Sequence, residues 1–353
     1  MTTANLYLLL VVSVTVVYCS KNDNRQKRYL SNSIIIEITN GEVLGLREKI
    51  QGRNSATIDV DVFRGIPYAK PPVGDLRFKR PQPSDRWNGV FEATKFPNTC
   101  IQVRGFGSIL LDNPPPTPLS EDCLYLNIWR PRCPDAGRNM ATTLWVHGGF
   151  FLNGSTAEPV YNGAALAAFE CVIVASVNYR LGSFGFMYTA SEEIPGNMGL
   201  LDVTLALKWV KDNVDNFGGN PRKITIFGQS SGAAMVSMLL LSLLPRDLFN
   251  NAILQVTNPS LTLLIYVSGD IVYECPAIAI ATMYAALSQN VYVYRYDYVR
   301  ERTFLPAWVG ATHLSEVPLV FRTITPAYPQ ISERDAQVNE RIMKMWAHFA
   351  QSG

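Results

Sequence analysis

One serine carries the pattern that most directly implies covalent chemistry. Gly228-Gln229-Ser230-Ser231-Gly232 follows a short apolar stretch, Lys223 to Phe227, and precedes an apolar run of helical length, Ala233 to Leu244. A strand, then G-x-S-x-G, then a helix is the context of a nucleophile elbow. The spacing has a steric reason: a serine on a very sharp turn needs neighbours without bulk two positions to either side. Such a turn lifts the Ser230 hydroxyl above the sheet, and the new helix points its N-terminus at the reacting oxygen. A turn of small residues with no chemistry is the alternative, and the strand and helix around Ser230 argue against it. A second stretch, Trp145-Val146-His147-Gly148-Gly149-Phe150-Phe151, leaves a buried strand and enters a glycine pair. Acyl transfer needs backbone N–H groups aimed at a developing negative oxygen, and glycines let the backbone come close. Such a loop works with the N–H of the residue after the nucleophile, which in this chain is Ser231. Taken alone, the glycine pair reads equally well as a structural turn.

Those two turns need a scaffold of strands ending on one edge. Ile34 to Ile38, Glu42 to Leu46 and Thr57 to Phe63 read as an antiparallel start. Leu124 to Trp129, Thr143 to His147 and Cys171 to Asn178 read as later strands, the last nearly all apolar, as a strand buried on both faces should be. Tyr161 to Phe169 and Leu200 to Asn216 have helical spacing, with Leu201, Leu205 and Trp209 on the predicted apolar stripe of the second. Strands alternating with helices predict an α/β fold, a mostly parallel central sheet flanked by helices.

Length and composition bound the rest. The chain has 353 residues, 48% of them hydrophobic, and a formal charge of +2. That is enough for one large core, and it implies no strongly acidic or basic partner. No cluster of Lys and Arg interleaved with aromatics suggests nucleic acid. Leu6 to Tyr18 is an apolar run of signal-peptide length, too short to span a bilayer, with cleavage expected near Cys19 or Ser20. We therefore assign 1–20 as a signal peptide, 21–33 as a polar leader and 34–353 as the folded domain, with no membrane span after signal removal. A secreted chain meets an oxidising compartment. Cys100, Cys123, Cys133, Cys171 and Cys275 then remain, an odd number, so at least one thiol is free or paired between chains. With three histidines and no Cys-x-x-Cys, no metal site is visible, and no cofactor is implied.

Longer stretches carry a family resemblance. Phe63 to Phe78 (FRGIPYAKPPVGDLRF), Ser120 to Trp129 (SEDCLYLNIW), Asn178 to Phe186 (NYRLGSFGF), Gly196 to Ala234 and Pro306 to Phe321 (PAWVGATHLSEVPLVF) resemble the type-B carboxylesterases, the carboxylesterase, cholinesterase and neuroligin family on the α/β-hydrolase fold. The resemblance implies that Ser230 is the nucleophile and His313 the general base. It places Gly149, Phe150 and Ser231 in the oxyanion hole, and Gln229 and Glu316 around the catalytic groups. It also implies a disulfide between Cys100 and Cys123. His147 and His348 read as structural. Asn153-Gly154-Ser155 is a glycosylation sequon inside the oxyanion loop, where burial would make it silent.

The chain also departs from the family. His313 follows Ser230 by 313 − 230 = 83 positions, a far shorter interval than the resemblance implies. The match breaks off at Val256 and resumes near Ser268, so a block holding the triad acid is expected to be missing near 256–267, with a truncation at the C-terminus. The fold is then incomplete in its middle and C-terminal parts. Asp247, Asp270, Glu274, Asp297 and Glu301 lie between Ser230 and His313, and none sits in the family's acid motif. Phe150 replaces a glycine of the oxyanion loop, its ring expected in the acyl pocket. Gln229 replaces a glutamate. The stretch before Ser120 has no tryptophan to match the choline-binding aromatic of cholinesterases, which argues against acetylcholine. The sequence thus predicts a serine carboxylic ester hydrolase acting on uncharged small-molecule esters, impaired by loss of its triad acid. The alternative is a secreted, non-catalytic binding or adhesion protein of the neuroligin kind.

Overall fold

Alternating side chains decide the architecture. In the computed structural model the described residues are 31–51, 57–103, 117–133, 137, 139–255, 275–300, 310–323 and 330–353. The predicted signal peptide lies outside them, as does the leader except for its last three positions. Residues Asn32–Gly353 pack as one compact unit. The strands are β1 (Ser33–Ile38), β2 (Gly41–Gln51), β3 (Thr57–Pro67), β4 (Val90–Glu92), β5 (Thr99–Cys100), β6 (Leu119–Ser120), β7 (Tyr125–Pro131), β8 (Met140–Val146), β9 (Ile173–Val177), β10 (Tyr188–Ser191), β11 (Ile194–Pro195), β12 (Gly219–Gln229) and β13 (Asn251–Gln255). The helices are α1 (Ala164–Glu170), α2 (Gly182–Phe186), α3 (Met198–Asn213), α4 (Ser231–Leu241), α5 (Cys275–Ala286), α6 (Val317–Val320) and α7 (Glu333–Ser352).

The main sheet runs β1-β2-β3-β7-β9-β8-β12-β13, with β4 beside β2. Its first half is antiparallel, from β1 through the β7–β9 pair. Its second half, β9-β8-β12-β13, is parallel. The expected α/β sheet is therefore mixed, and the parallel half holds the candidate site. Leu144 and Val146 of β8, with Ile224 and Ile226 of β12, face the core shared with α3 and α4. Their neighbours Trp145 and Phe227 face the core shared with α1, α6 and α7. Period-two alternation on strands buried on both faces thus builds three layers. α7 starts at a capping box, Ser332 with Asp335, which satisfies orphan N–H groups at its N-terminus.

Two predicted helices differ in detail. The stretch Tyr161 to Phe169 is a single 3₁₀ turn, Pro159–Tyr161, followed by α1. Asn162 breaks the run because its Oδ1 accepts from the Ala164 N–H at 3.1 Å. On α3 the buried face is Asp202, Val203, Ala206, Leu207, Trp209 and Val210, while Leu201 and Leu205 are half-buried. The stripe is rotated because Asp202 turns inward to Arg180, whose Nη2 donates to Asp202 Oδ1 at 2.7 Å.

Among the described residues no helix is long and apolar enough to cross a membrane. Among the described residues two disulfides form. Cys100–Cys123 has the expected pairing. Cys133–Cys171, which the sequence left open, ties the end of β7 to the C-cap of α1. Cys275 is free and exposed. Iodoacetamide treatment of the folded, unreduced protein, followed by peptide mapping, should modify Cys275 and spare Cys100, Cys123, Cys133 and Cys171. Native-state modification of any of those four would refute the pairing.

Candidate active site

β12 ends at Gln229 and α4 begins at Ser231, so Ser230 alone makes the turn. It sits at φ 57°, ψ −125°, a conformation that costs a non-glycine residue on the order of 1–3 kcal/mol. Its flanking glycines allow that turn. A Cβ on Gly228 would lie 2.6 Å from the Gly232 carbonyl carbon, and one on Gly232 would lie 2.2 Å from the Val146 oxygen. No side chain fits at either position. The Ser230 N–H donates to the Gln255 carbonyl at 3.1 Å, and the Ser230 carbonyl accepts from the Ala234 N–H at 2.9 Å. The nucleophile candidate is therefore pinned between the end of β13 and the first turn of α4, with the helix N-terminus behind it.

The oxyanion-loop candidate leaves β8 beside this turn. A Cβ on Gly148 would lie 3.1 Å from Ser230 Cβ, so this glycine brings the loop against the serine. Gly149 has φ +118°, and its carbonyl accepts from the N–H groups of Leu152 (2.9 Å) and Asn153 (3.0 Å). Phe150 and Phe151 follow at φ 57° and 61°. The Phe150 ring is 59% exposed, which overturns the expectation that it enters an acyl pocket. Phe151 is the ring that packs inward, edge-on to Phe186 with centroids 5.0 Å apart. The far end of the loop is held by Gln102, which donates to the Gly154 carbonyl at 2.9 Å and accepts from the Gly154 N–H at 3.0 Å. Gln102 also donates to the Cys100 carbonyl, so the Cys100–Cys123 bridge anchors the residue that clamps the loop. Asn153 is buried, as the silent sequon requires.

His313 precedes α6. The Gln229 amide nitrogen stands 3.2 Å from His313 Nε2 and 3.4 Å from Nδ1. Gln229 is fully buried, and among the described residues its Oε1 has no partner. Asn/Gln amide orientation is set by such networks, and either orientation places Gln229 against the imidazole. Glu316, at the start of α6, is buried, and among the described residues its carboxylate meets no side-chain partner. Burial pushes its carboxyl up from 4.5 to about 7. His147 is buried, stacked on Tyr179 with centroids 4.5 Å apart, and pushed down to about 4 by burial. It stays neutral at pH 7, as a structural histidine should. His348 lies exposed on α7.

Of the carboxylates between Ser230 and His313, Asp247 is exposed and Asp297 pairs with Arg295 at the surface. Asp270, Glu274 and Glu301 lie outside the described residues. At the edge where the parallel strands end, Gly148 lies against Ser230, Phe151 against Ser231, and His313 against Gln229, the residue before the serine. A group that attacks, a group that can take a proton and a cluster of backbone N–H donors are the parts acyl transfer needs. Sequence reasoning missed Gln102, Tyr179 and Gln255. Each acts through a polar contact made across the fold, and no motif marks such a contact.

Comparisons with known proteins bear on the family of the chain. A family model described as "Carboxylesterase family" matches residues 32–266 and 258–353. The match divides where the sequence resemblance breaks off. An acetylcholinesterase of Danio rerio is 46% identical over 233 residues, 64% of this chain and 36% of that protein. An acetylcholinesterase of Leptinotarsa decemlineata is 42% identical over 250 residues, 65% of this chain and 39% of its own length. One from Electrophorus electricus is 46% identical over 226 residues, covering 62% and 35%. The chain therefore spans well under half the length of these curated relatives.

Glu316 gives this site a pH signature. A carboxyl whose folded pKa is raised is stable in its protonated form. The stability it contributes is full below about 4.5 and drains away as pH rises to about 7. The loss should be roughly 3 kcal/mol, at about 1.4 kcal/mol per pKa unit. Glu316→Gln should lose this pH dependence and be the more stable protein at pH 7.5. Urea unfolding at pH 5 and 7.5 checks it, and the same pH dependence in both proteins would rule out a buried ionising Glu316.

Proposed function

The chain belongs to the carboxylesterase family, and from that membership we propose that it is a serine hydrolase of uncharged carboxylic esters working through an acyl-enzyme. The observation that carries the reading is the left-handed Ser230 turn with Gly148 lying against it. In this mechanism the Ser230 Oγ attacks the ester carbonyl while His313 takes its proton. The carbonyl oxygen becomes negative and is held by the N–H groups of Gly149, Phe150 and Ser231. One such donor is commonly worth about 10²–10³ in rate. His313 then returns the proton to the departing alcohol, leaving Ser230 acylated. Water, deprotonated by His313, attacks the acyl-enzyme and releases the acid.

The relatives are named acetylcholinesterases, but the tryptophan expected before Ser120 for a choline group has no match here. That supports an uncharged alcohol portion. The two disulfides support an oxidising compartment and hence secretion. In a serine protease, changing the Asp behind the histidine to Asn costs about 10⁴ in rate. Gln229, a neutral amide, stands beside His313, so turnover is expected to be low and best with activated esters.

A fluorophosphonate probe should label Ser230 in the folded 353-residue chain, and Ser230→Ala should abolish labelling. Hydrolysis of p-nitrophenyl butyrate should be slow and should vanish in the same variant. Equal labelling of the Ala variant would sink the nucleophile assignment. A folded chain with neither labelling nor turnover would favour the non-catalytic binding protein.

A further inference from the structure

The Ser231 hydroxyl, as distinct from its N–H, joins the oxyanion loop to the elbow. The Phe151 N–H donates to Ser231 Oγ at 3.3 Å. The Ser231 side chain lies close enough to the Tyr179 hydroxyl to act on it. The Tyr179 O–H donates to the His147 carbonyl at 2.8 Å. The path leaves the loop at Phe151, passes through the residue after Ser230 and re-enters the loop at His147. Ser231 and Tyr179 are both buried, so each hydroxyl works in a low-dielectric setting where an unmade bond is costly.

The two ends of this path differ in rigidity. Tyr179 is fixed: its ring stacks on His147. The next residue, Arg180, binds Asp202 through its backbone N–H (3.0 Å), Nε (2.8 Å) and Nη2 (2.7 Å). The loop is under strain. Two consecutive non-glycine residues, Phe150 and Phe151, hold left-handed φ, at roughly 1–3 kcal/mol each, and such conformations persist only where the surroundings over-determine them. The Gly182 N–H holds the Phe151 carbonyl at 2.7 Å, and the Ser231 Oγ holds its N–H. Phe151 is thereby gripped on both sides of its own backbone, one residue past the proposed oxyanion donor Phe150.

We propose that the Ser231 side chain, backed by Tyr179, is a positioning group that locks the oxyanion loop to the nucleophile turn. The proposal rests on the esterase reading for its kinetic consequence, but not for its structural one. Ser231→Ala keeps the backbone N–H and removes the lock. Tyr179→Phe removes its support without touching an oxyanion donor.

Hydrogen exchange, followed by mass spectrometry of peptides covering 147–152, reads the loop whether or not the chain turns over esters. Ser231→Ala should raise exchange at Phe151 roughly tenfold, the effect of one hydrogen bond. Tyr179→Phe should raise it at the same amide, and the double variant should add little beyond Ser231→Ala, because both changes break one path. With the fluorophosphonate probe, the first-order phosphonylation step at Ser230 should slow about tenfold in Ser231→Ala with its half-saturating concentration unchanged. A merely structural serine would not produce that split. Unchanged exchange at Phe151 in Ser231→Ala, or additive effects of the two substitutions, would overturn the proposal. Absence of phosphonylation in the unsubstituted chain would instead overturn the esterase reading, and the exchange result would still decide the role of Ser231.

Discussion

The arrangement depends on how closely β8 and β12 approach at one end. They are parallel and in register, Gly228 opposite Val146, so both strands end on the same edge and both release their loops there. The approach is too tight for any side chain at Gly228 or Gly232. Once it is made, the Ser230 turn and the Gly148 loop cannot lie elsewhere. Beneath them the strands are locked by aromatic packing. Trp145 and Phe227 have ring centroids 4.9 Å apart, and Phe321 meets Trp145 edge-on at 5.0 Å. Phe321 directly follows α6, the helix that His313 precedes. The same core that registers the two strands therefore also fixes where His313 stands. A substitution such as Phe321→Ala would reach the site through packing, without touching a reacting group.

What was legible in the sequence follows from this geometry. The elbow was readable because its steric demand falls on fixed positions: Gly228 and Gly232 are required by local chain shape. The strands were readable because burial on both faces leaves apolar runs. Leu201 and Leu205 misled because periodicity ranks apolar residues, whereas α3 is oriented by Asp202 meeting Arg180. The exposed Phe150 ring misled for a related reason. Apolar character alone does not say which of two adjacent rings turns inward, and here it is Phe151 that packs on Phe186. Cys133 and Cys171 could not be paired from spacing, since their contact depends on where α1 ends against β7.

Burial is uneven across the molecule. Along α5 no described residue is buried, and Ile278, Met283 and, just past its end, Leu287 are exposed. The outer side of α4 and the turn after it expose Met238, Leu241, Leu243 and Leu244. The Tyr284 hydroxyl, donating to the Leu240 carbonyl at 2.6 Å, links the two. Helices of this length draw most of their stability from packing an apolar face, so α5 gains little from the core. α4 is different: its inner face carries Met235, Val236 and Leu239 into the core. The helix that begins at the serine turn is held firmly, while its outer side and α5 present apolar surface of the kind that favours association.

The balance at the site is then one of charge more than of shape. The Ser230 turn and the glycine loop after β8 rest on strands buried on both faces, and His313 stands beside them against Gln229. A base that accepts a proton becomes a cation, and that cation needs a negative neighbour. At about 4 Å, a carboxylate beside an imidazolium is worth about 4 kcal/mol at an effective dielectric of 20. Gln229 touches the imidazole and contributes none of that. Glu316 is buried near the phenols of Tyr161 and Tyr294, and with its carboxyl pushed to about 7 it is half neutral at physiological pH. A barrier raised by a few kcal/mol slows turnover by about 10³ and leaves the shape of the nucleophile turn untouched. Labelling at Ser230 reports on that shape, whereas turnover reports on the charge behind His313, so the two can part company in this chain.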